Sequence, residues 1–284
     1  MNAPEPLARE IAVGEERVRY SGHPGRPLVL LLRMASAGMG VWDPVWPALA
    51  RHYAVAQFDL GMPSREALAD PAAVFRRFAQ RCVDVAAGLG HARFHVLGWN
   101  GGTHVALRCV ADHAERVASC TLLGPFFESP AQKAVDKGVD FLRVMLEGGD
   151  RELYAYYWFM SGLSPSFVAR NFDQVERWVA MRLAGARFLA LDVERAMLWI
   201  RALRRRWISD EELGAIQRPT LVVAHSEDRW HAGPSVDMAR ALHARMPAAQ
   251  LEVIEGYGSL VLMEAPEAFL AVSEPFLVEQ AKAS

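Results

Sequence analysis

Cysteine is scarce: Cys82, Cys109 and Cys120 are the only three in 284 residues, far apart and set among apolar neighbours. That spacing shows no metal-ligand pattern and favours free buried thiols that serve packing over disulfides or a zinc site. Charge of one sign is missing too. Thirty-one Lys and Arg face 33 Asp and Glu, for a formal net charge of −2, and the one basic run is Arg204-Arg205-Arg206. A nucleic-acid footprint is therefore not expected, and the triplet reads as a solvated helix face. No segment stays apolar long enough to span a bilayer, and Met1 to Glu10 lack an apolar signal core. These absences predict a cytoplasmic protein with no membrane or nucleic-acid partner. Histidine stops early: the ninth and last is His243.

What is present is apolar residue, 52% of the chain, enough to bury one large α/β domain with an insertion. Glu10 to Tyr20 alternates loosely and reads as an edge hairpin closed by Gly22-His23-Pro24-Gly25. Leu28 to Leu32 is a continuous apolar run, the mark of a strand buried on both faces. Tyr53 to Leu60 reads as the next strand, and Ala72 to Leu89 as a helix stopped by Gly90. His95 to Leu107 is a strand, a bend and a helix, with Gly98 and Gly102 flanking Asn100. Glycines at that spacing let the backbone fold tightly around one residue and hold its side chain over a sheet edge. Ala118 to Pro125 is a further strand. From Phe126 to Ser209 the period is helical with many large apolar side chains, densest from Tyr154 to Met160. Pro219 to Ala224 returns to strand character, Ser235 to Arg245 is an amphipathic helix, and Gln250 to Ile254 is the last strand.

Three segments carry a resemblance. Gly98-Trp99-Asn100-Gly101-Gly102 is similar to the G-x-S-x-G nucleophile elbow of the α/β-hydrolase fold family. Pro219 to Pro234 resembles that family's P-x-L-x-V-x-G-x-x-D-x-x-x-P segment, with Asp228 at the position of the triad acid. Gly256 to Phe269 resembles its closing G-x-G-H-x-x-x-x-E-x-P-E-x-F motif, with Ser259 where the catalytic histidine stands. The resemblance implies a mostly parallel sheet flanked by helices, with residues 1–125 and 210–284 as core and 126–209 as a helical cap. It also implies a loop after the first central strand that supplies oxyanion donors. Here that loop, Arg33 to Gly40, lacks the usual His-Gly pair.

Acyl-enzyme hydrolysis needs a nucleophile, a base and an acid acting as a unit. Of the family's three positions only Asp228 holds the expected residue. Asn100 is a carboxamide, and no histidine follows His243 to replace Ser259. His231 and His225, three residues to either side of Asp228, are the substitutes the sequence offers, with His231 the candidate base. The expected site is thus catalytic Asn100, Asp228, Ser259 and His231, lined by Met34, Trp99, Gly101, Trp158 and Trp230. It has no metal and no cofactor, its ligand is a small apolar carbonyl compound, and a homodimer is compatible with the sequence. Three functions follow in order of expectation: a non-covalent lyase, cyclase or isomerase; a ligand-binding pseudoenzyme; and an esterase, thioesterase or acyltransferase with a rebuilt base.

Overall fold

Uninterrupted runs of leucine and β-branched side chains make strands that need cover on both faces, and the centre of the molecule is built from such strands. The computed structural model describes residues 8–23, 25–33, 40–127, 132–185, 192–228 and 235–282. Its strands are β1 (Arg9–Val13), β2 (Glu16–Ser21), β3 (Leu28–Leu32), β4 (Ala54–Phe58), β5 (Phe94–Trp99), β6 (Val117–Leu123), β7 (Thr220–His225) and β8 (Ala249–Ile254). They form one sheet in the order β1-β2-β4-β3-β5-β6-β7-β8. The first two pairings, β1 with β2 and β2 with β4, are antiparallel, and the rest are parallel. All residues of β3 to β7 are buried, whereas the edge strands β1 and β8 alternate. The edge hairpin turns at Gly14-Glu15, with Gly14 at φ +57°, rather than at Gly22 to Gly25. The later glycines lie instead in the connection from β2 to β3.

Helices α1 (Trp46–Ala50), α2 (Pro71–Gly88) and α3 (Gly102–Asp112) connect the early strands. Asp70 caps α2 by accepting from the Ala73 N–H at 3.1 Å, and Gly90 at φ +84° ends it, as the sequence predicts. Between β6 and β7 the described elements are all helical: α4 (Gln132–Glu147), α5 (Arg151–Gly162), α6 (Pro165–Arg170), α7 (Phe172–Leu183), α8 (Val193–Leu203) and α9 (Asp210–Gly214). Helix α10 (Ser235–His243) precedes β8, and α11 (Val261–Glu264) and α12 (Pro266–Lys282) follow it. No helix among the described residues is long and apolar enough to cross a membrane.

The sheet has a core on each face. One joins α2, α3 and α10 to the sheet and holds all three cysteines, which are free and buried. The other joins α1 and α12 to the sheet and also takes in Ala155, Trp158 and Phe159 of α5 and Val175 and Val179 of α7. Because β4 and β5 lie on opposite sides of β3, the chain changes direction there. A crevice opens at such a point beyond the carboxyl ends of the strands.

Two polar clamps tie the helices between β6 and β7 to the rest of the chain. Glu264 accepts from the Gly258 N–H at 2.6 Å and from the N–H and Oγ of Ser164 at 3.0 and 2.8 Å. Arg108 of α3, 2% exposed, donates to Glu212 at 2.8 Å, to Asp112 at 3.1 Å and to the Trp207 carbonyl at 3.1 Å. Glu212 also closes the capping box of α9 with Ser209. The Arg108 hydrogen bond leads the causes that hold the Glu212 carboxyl down to about 2 from 4.5. A depressed carboxyl stabilises the fold above its unfolded pKa, and the contribution fades as pH falls through 4.5 toward about 2. Glu212→Gln should therefore cost about 1–2 kcal/mol at pH 7, a figure discounted for the solvent that reaches this side chain. Urea denaturation should show less than half of that loss at pH 3, and an equal loss at both pH values would mean that the charge is not what Glu212 contributes.

Candidate functional site

The bend after β5 is set by backbone meeting backbone. A Cβ on Gly98 would lie 2.6 Å from the Gly102 carbonyl oxygen, and one on Gly102 would lie 2.8 Å from the Leu32 carbonyl oxygen. Only glycine fits at both places. Between them Asn100 has φ +55°, the one described non-glycine residue in the left-handed region. Asparagine adopts that region more readily than most residues, yet it still costs on the order of 1–2 kcal/mol. Hydrogen bonds hold it there: the Asn100 N–H donates to the Leu123 carbonyl at 2.9 Å, and the Thr103 N–H donates to the Asn100 carbonyl at 3.0 Å. Asn100 is 2% exposed, and its Oδ1 is buried with no hydrogen-bond partner among the described residues.

Its neighbours tie the elbow to the rest of the crevice. Trp99, 1% exposed, points into the core beneath and donates from Nε1 to the Ser259 carbonyl at 2.9 Å. Ser259 is itself buried, and the next residue, Leu260, donates its N–H to the Gly162 carbonyl at 2.8 Å. Gly101 opens α3 as its N-cap, so the first N–H groups of the helix point toward the crevice. Four residues past Asn100, the His104 Nε2–H donates to the Leu203 carbonyl at 2.8 Å while its ring stacks on Phe75. Burial pushes its pKa down to about 4, so it is neutral and pins α8 to the elbow helix.

Asp228 lies just past β7 with its side chain buried, and its carboxylate is 4.0 Å from His225 Nδ1. That separation is too long for a hydrogen bond. Burial pushes His225 down to about 3, so the imidazole is neutral near pH 7. Its Nδ1 faces the Ser235 Oγ at 3.4 Å, and its Nε2 is enclosed without a partner among the described residues. Met34, Trp230 and His231 lie outside the described residues. Trp158 is 6% exposed and packs edge-on to Phe159, with the Arg182 guanidinium 4.4 Å from its ring centroid.

A second expectation fails. The triplet Arg204 to Arg206 is not a solvated face: Arg204 is 6% exposed, and its guanidinium lies 4.2 Å from the centroid of Phe126, just beyond β6. Arg205 pairs with Asp136 at 3.1 Å on the surface, and half-buried Arg206 donates to the Ile208 carbonyl at 2.7 Å. The reason is helical phase. Arg204 follows Met197 by seven residues and Ile200 by four, so it continues the buried stripe of α8. That spacing was legible; the run of three like charges masked it. Burial pushes Arg204 down to about 9, opposed by the nearby charge of Asp228 and by Tyr157 and Tyr154, so it remains a cation at neutral pH.

The described residues contain no group of three or more His, Cys, Asp or Glu that could hold a metal ion. What the arrangement provides is a strained elbow offering an amide, helix N–H donors, a buried carboxylate and a buried guanidinium.

Known proteins agree with this architecture. The chain is 27% identical over 252 residues to the putative carbamate hydrolase RutD of Caulobacter sp. (strain K31), covering 87% of this chain and 90% of the relative. It is 24% identical over 286 residues to the pyrrolizixenacetamide deacetylase of Xenorhabdus hominickii, covering 95% and 98%. The crystal structure of the enol-lactonase from Burkholderia xenovorans LB400 superposes with a TM-score of 0.72 at 17% identity, over 95% of this chain and all of the other, which speaks to the fold. The sequence profile described as "Alpha/beta hydrolase family" matches residues 24–272, and the chain belongs to that family.

Proposed function

We propose that this chain binds an apolar carbonyl compound at the elbow and converts it without forming an acyl-enzyme, as a lyase, cyclase or isomerase does. The observation that carries this reading is Asn100, which occupies the strained bend with a buried and unpartnered Oδ1. A carboxamide is no nucleophile, but it donates through Nδ2 and accepts through Oδ1. A buried acceptor left unpaired costs about 1–3 kcal/mol, which the hydroxyl or enol O–H of a ligand would relieve. The Gly101 N–H and the positive end of α3 supply donors for a carbonyl or enolate oxygen. In this reading Asp228 moves the proton, Ser259 contributes hydrogen bonding, and Gly101 and Trp158 face the ligand, with Met34 and Trp230 the candidate contacts outside the described residues.

The relatives' names, a carbamate hydrolase and a deacetylase, favour a second reading in which the chain hydrolyses its ligand with a rebuilt base. His231 is the candidate for that base. His225 does not suit the part, because it is neutral, fully buried and closed off at Nε2. A pseudoenzyme would keep the same binding groups and lack turnover.

A fluorophosphonate probe separates these readings from ordinary serine hydrolysis: the protein should remain unlabelled, and stoichiometric labelling would overturn the proposal. The paired substitution Asn100→Ser with Ser259→His should create p-nitrophenyl ester hydrolysis where the parent has none. Hydrolysis by the parent, abolished by His231→Ala, would instead establish the second reading. For a ligand that co-purifies and is identified by mass spectrometry, Asn100→Ala should lower turnover at least a hundredfold with little change in binding. Unchanged turnover in that variant would remove Asn100 from the mechanism.

A further inference from the structure

The conversion proposed above does not use Arg204. This side chain is 94% buried by its 6% exposure, and its Nε has no hydrogen-bond partner among the described residues. A guanidinium carries five N–H donors and loses strongly favourable hydration on burial, so an enclosed one with a donor unspent is an arrangement a ligand would complete.

Its position is that of a binding group. Arg204 directly follows α8, whose last carbonyl, that of Leu203, is gripped by His104 of the elbow helix. Its guanidinium lies over Phe126, which comes three residues after the end of β6, while β6 also receives the Asn100 N–H through Leu123. Asp228 and the hydroxyls of Tyr157 and Tyr154 are near enough to act on its charge. Arg204 therefore hangs over the carboxyl ends of the strands that carry Asn100 and Asp228. A second buried cation, Arg182, shares Tyr154 as a neighbour.

We infer that Arg204 receives a carboxylate of the ligand, which makes the substrate class an apolar carbonyl compound bearing a carboxylic acid. The planar fork of a guanidinium matches a carboxylate bidentately, and the Phe126 ring fixes the plane of the fork. A singly charged carboxylate also suits the neighbouring Asp228 better than a phosphate dianion, which that aspartate would repel. This inference rests on the reading of the elbow as a small-molecule site, and its test is a binding measurement that needs no turnover.

The probes are 3-phenylpropanoate, 4-phenylbutanoate and octanoate, each paired with its primary amide, titrated calorimetrically into the full chain near pH 7. At least one acid should bind about ten- to a hundredfold more tightly than its amide, the range expected for charge-assisted hydrogen bonds. Arg204→Met should erase that preference, and Arg204→Lys, which keeps the charge and loses the fork, should retain part of it. Should Arg204→Met fail to fold, the acid-over-amide preference of the parent and its reduction in Arg204→Lys still decide the matter. Equal binding of every acid and amide, no binding of either, or a preference that survives in Arg204→Met overturns the assignment. Tighter binding of phenyl phosphate than of any acid overturns the choice of carboxylate. Loss of the acid preference leaves the Asn100 reading standing if Asn100→Ala still abolishes turnover. An acid preference with no effect of Asn100→Ala on turnover would remove the elbow chemistry alone.

Discussion

Backbone packed against backbone at the elbow is the constraint on which the site depends. The Gly102 carbonyl presses against Gly98, the Leu32 carbonyl presses against Gly102, and Asn100 is left in the left-handed region between them. None of these contacts is a side-chain preference, so no rotamer change relieves them. The strain is sustained because β5 lies between β3 and β6 in a fully buried sheet, which leaves the bend no alternative course. From it follow the direction of α3, the exposure of the helix N–H groups to the crevice and the placement of the Asn100 amide.

The helices between β6 and β7 are joined to this core through chemistry as well as apolar contact. Glu264 spans the closing loop and the start of α6 with three hydrogen bonds, and Arg108 spans α3, α9 and the Trp207 carbonyl. Buried charges of this kind contribute less net energy than their geometry suggests, since desolvation offsets much of the attraction. Their consequence is register. They fix the start of α6 against the closing loop, and α9 and the Trp207 carbonyl against α3.

The electrostatics of the crevice are simple at neutral pH. His104 and His225 are both held neutral by burial, at about 4 and about 3. Arg204 stays charged, supported by the nearby charge of the buried Asp228. The carboxamide at the bend and the buried guanidinium against Phe126 are the polar groups on which the proposed binding of oxygen atoms rests. That is the link between the packing of the fold and the function proposed for it.

Much of the fold was legible because strand burial and helix phase are written in local periodicity. Leu28 to Leu32 read as a central strand, the glycines around Asn100 as a sharp bend, and Gly90 as the end of α2, whereas the Asp70 cap at its start emerged only from the structure. The hairpin turn was misplaced by several residues because Gly14 competes with the richer turn signal at Gly22 to Gly25, and only strand register distinguishes them. The identities of the residues at the elbow, acid and closing positions came from the resemblance of three segments to the family's motifs. Their neighbours did not, since the bond from Trp99 to Ser259 spans 160 residues and the grip of His104 on Leu203 spans 99. Sequence alone determined the strands, the bend and the absence of a histidine after His243. The tertiary structure decided which polar groups are buried together, and so turned Arg204 from a surface charge into a buried one against Phe126, because burial depends on what packs over a residue as well as on the residue itself.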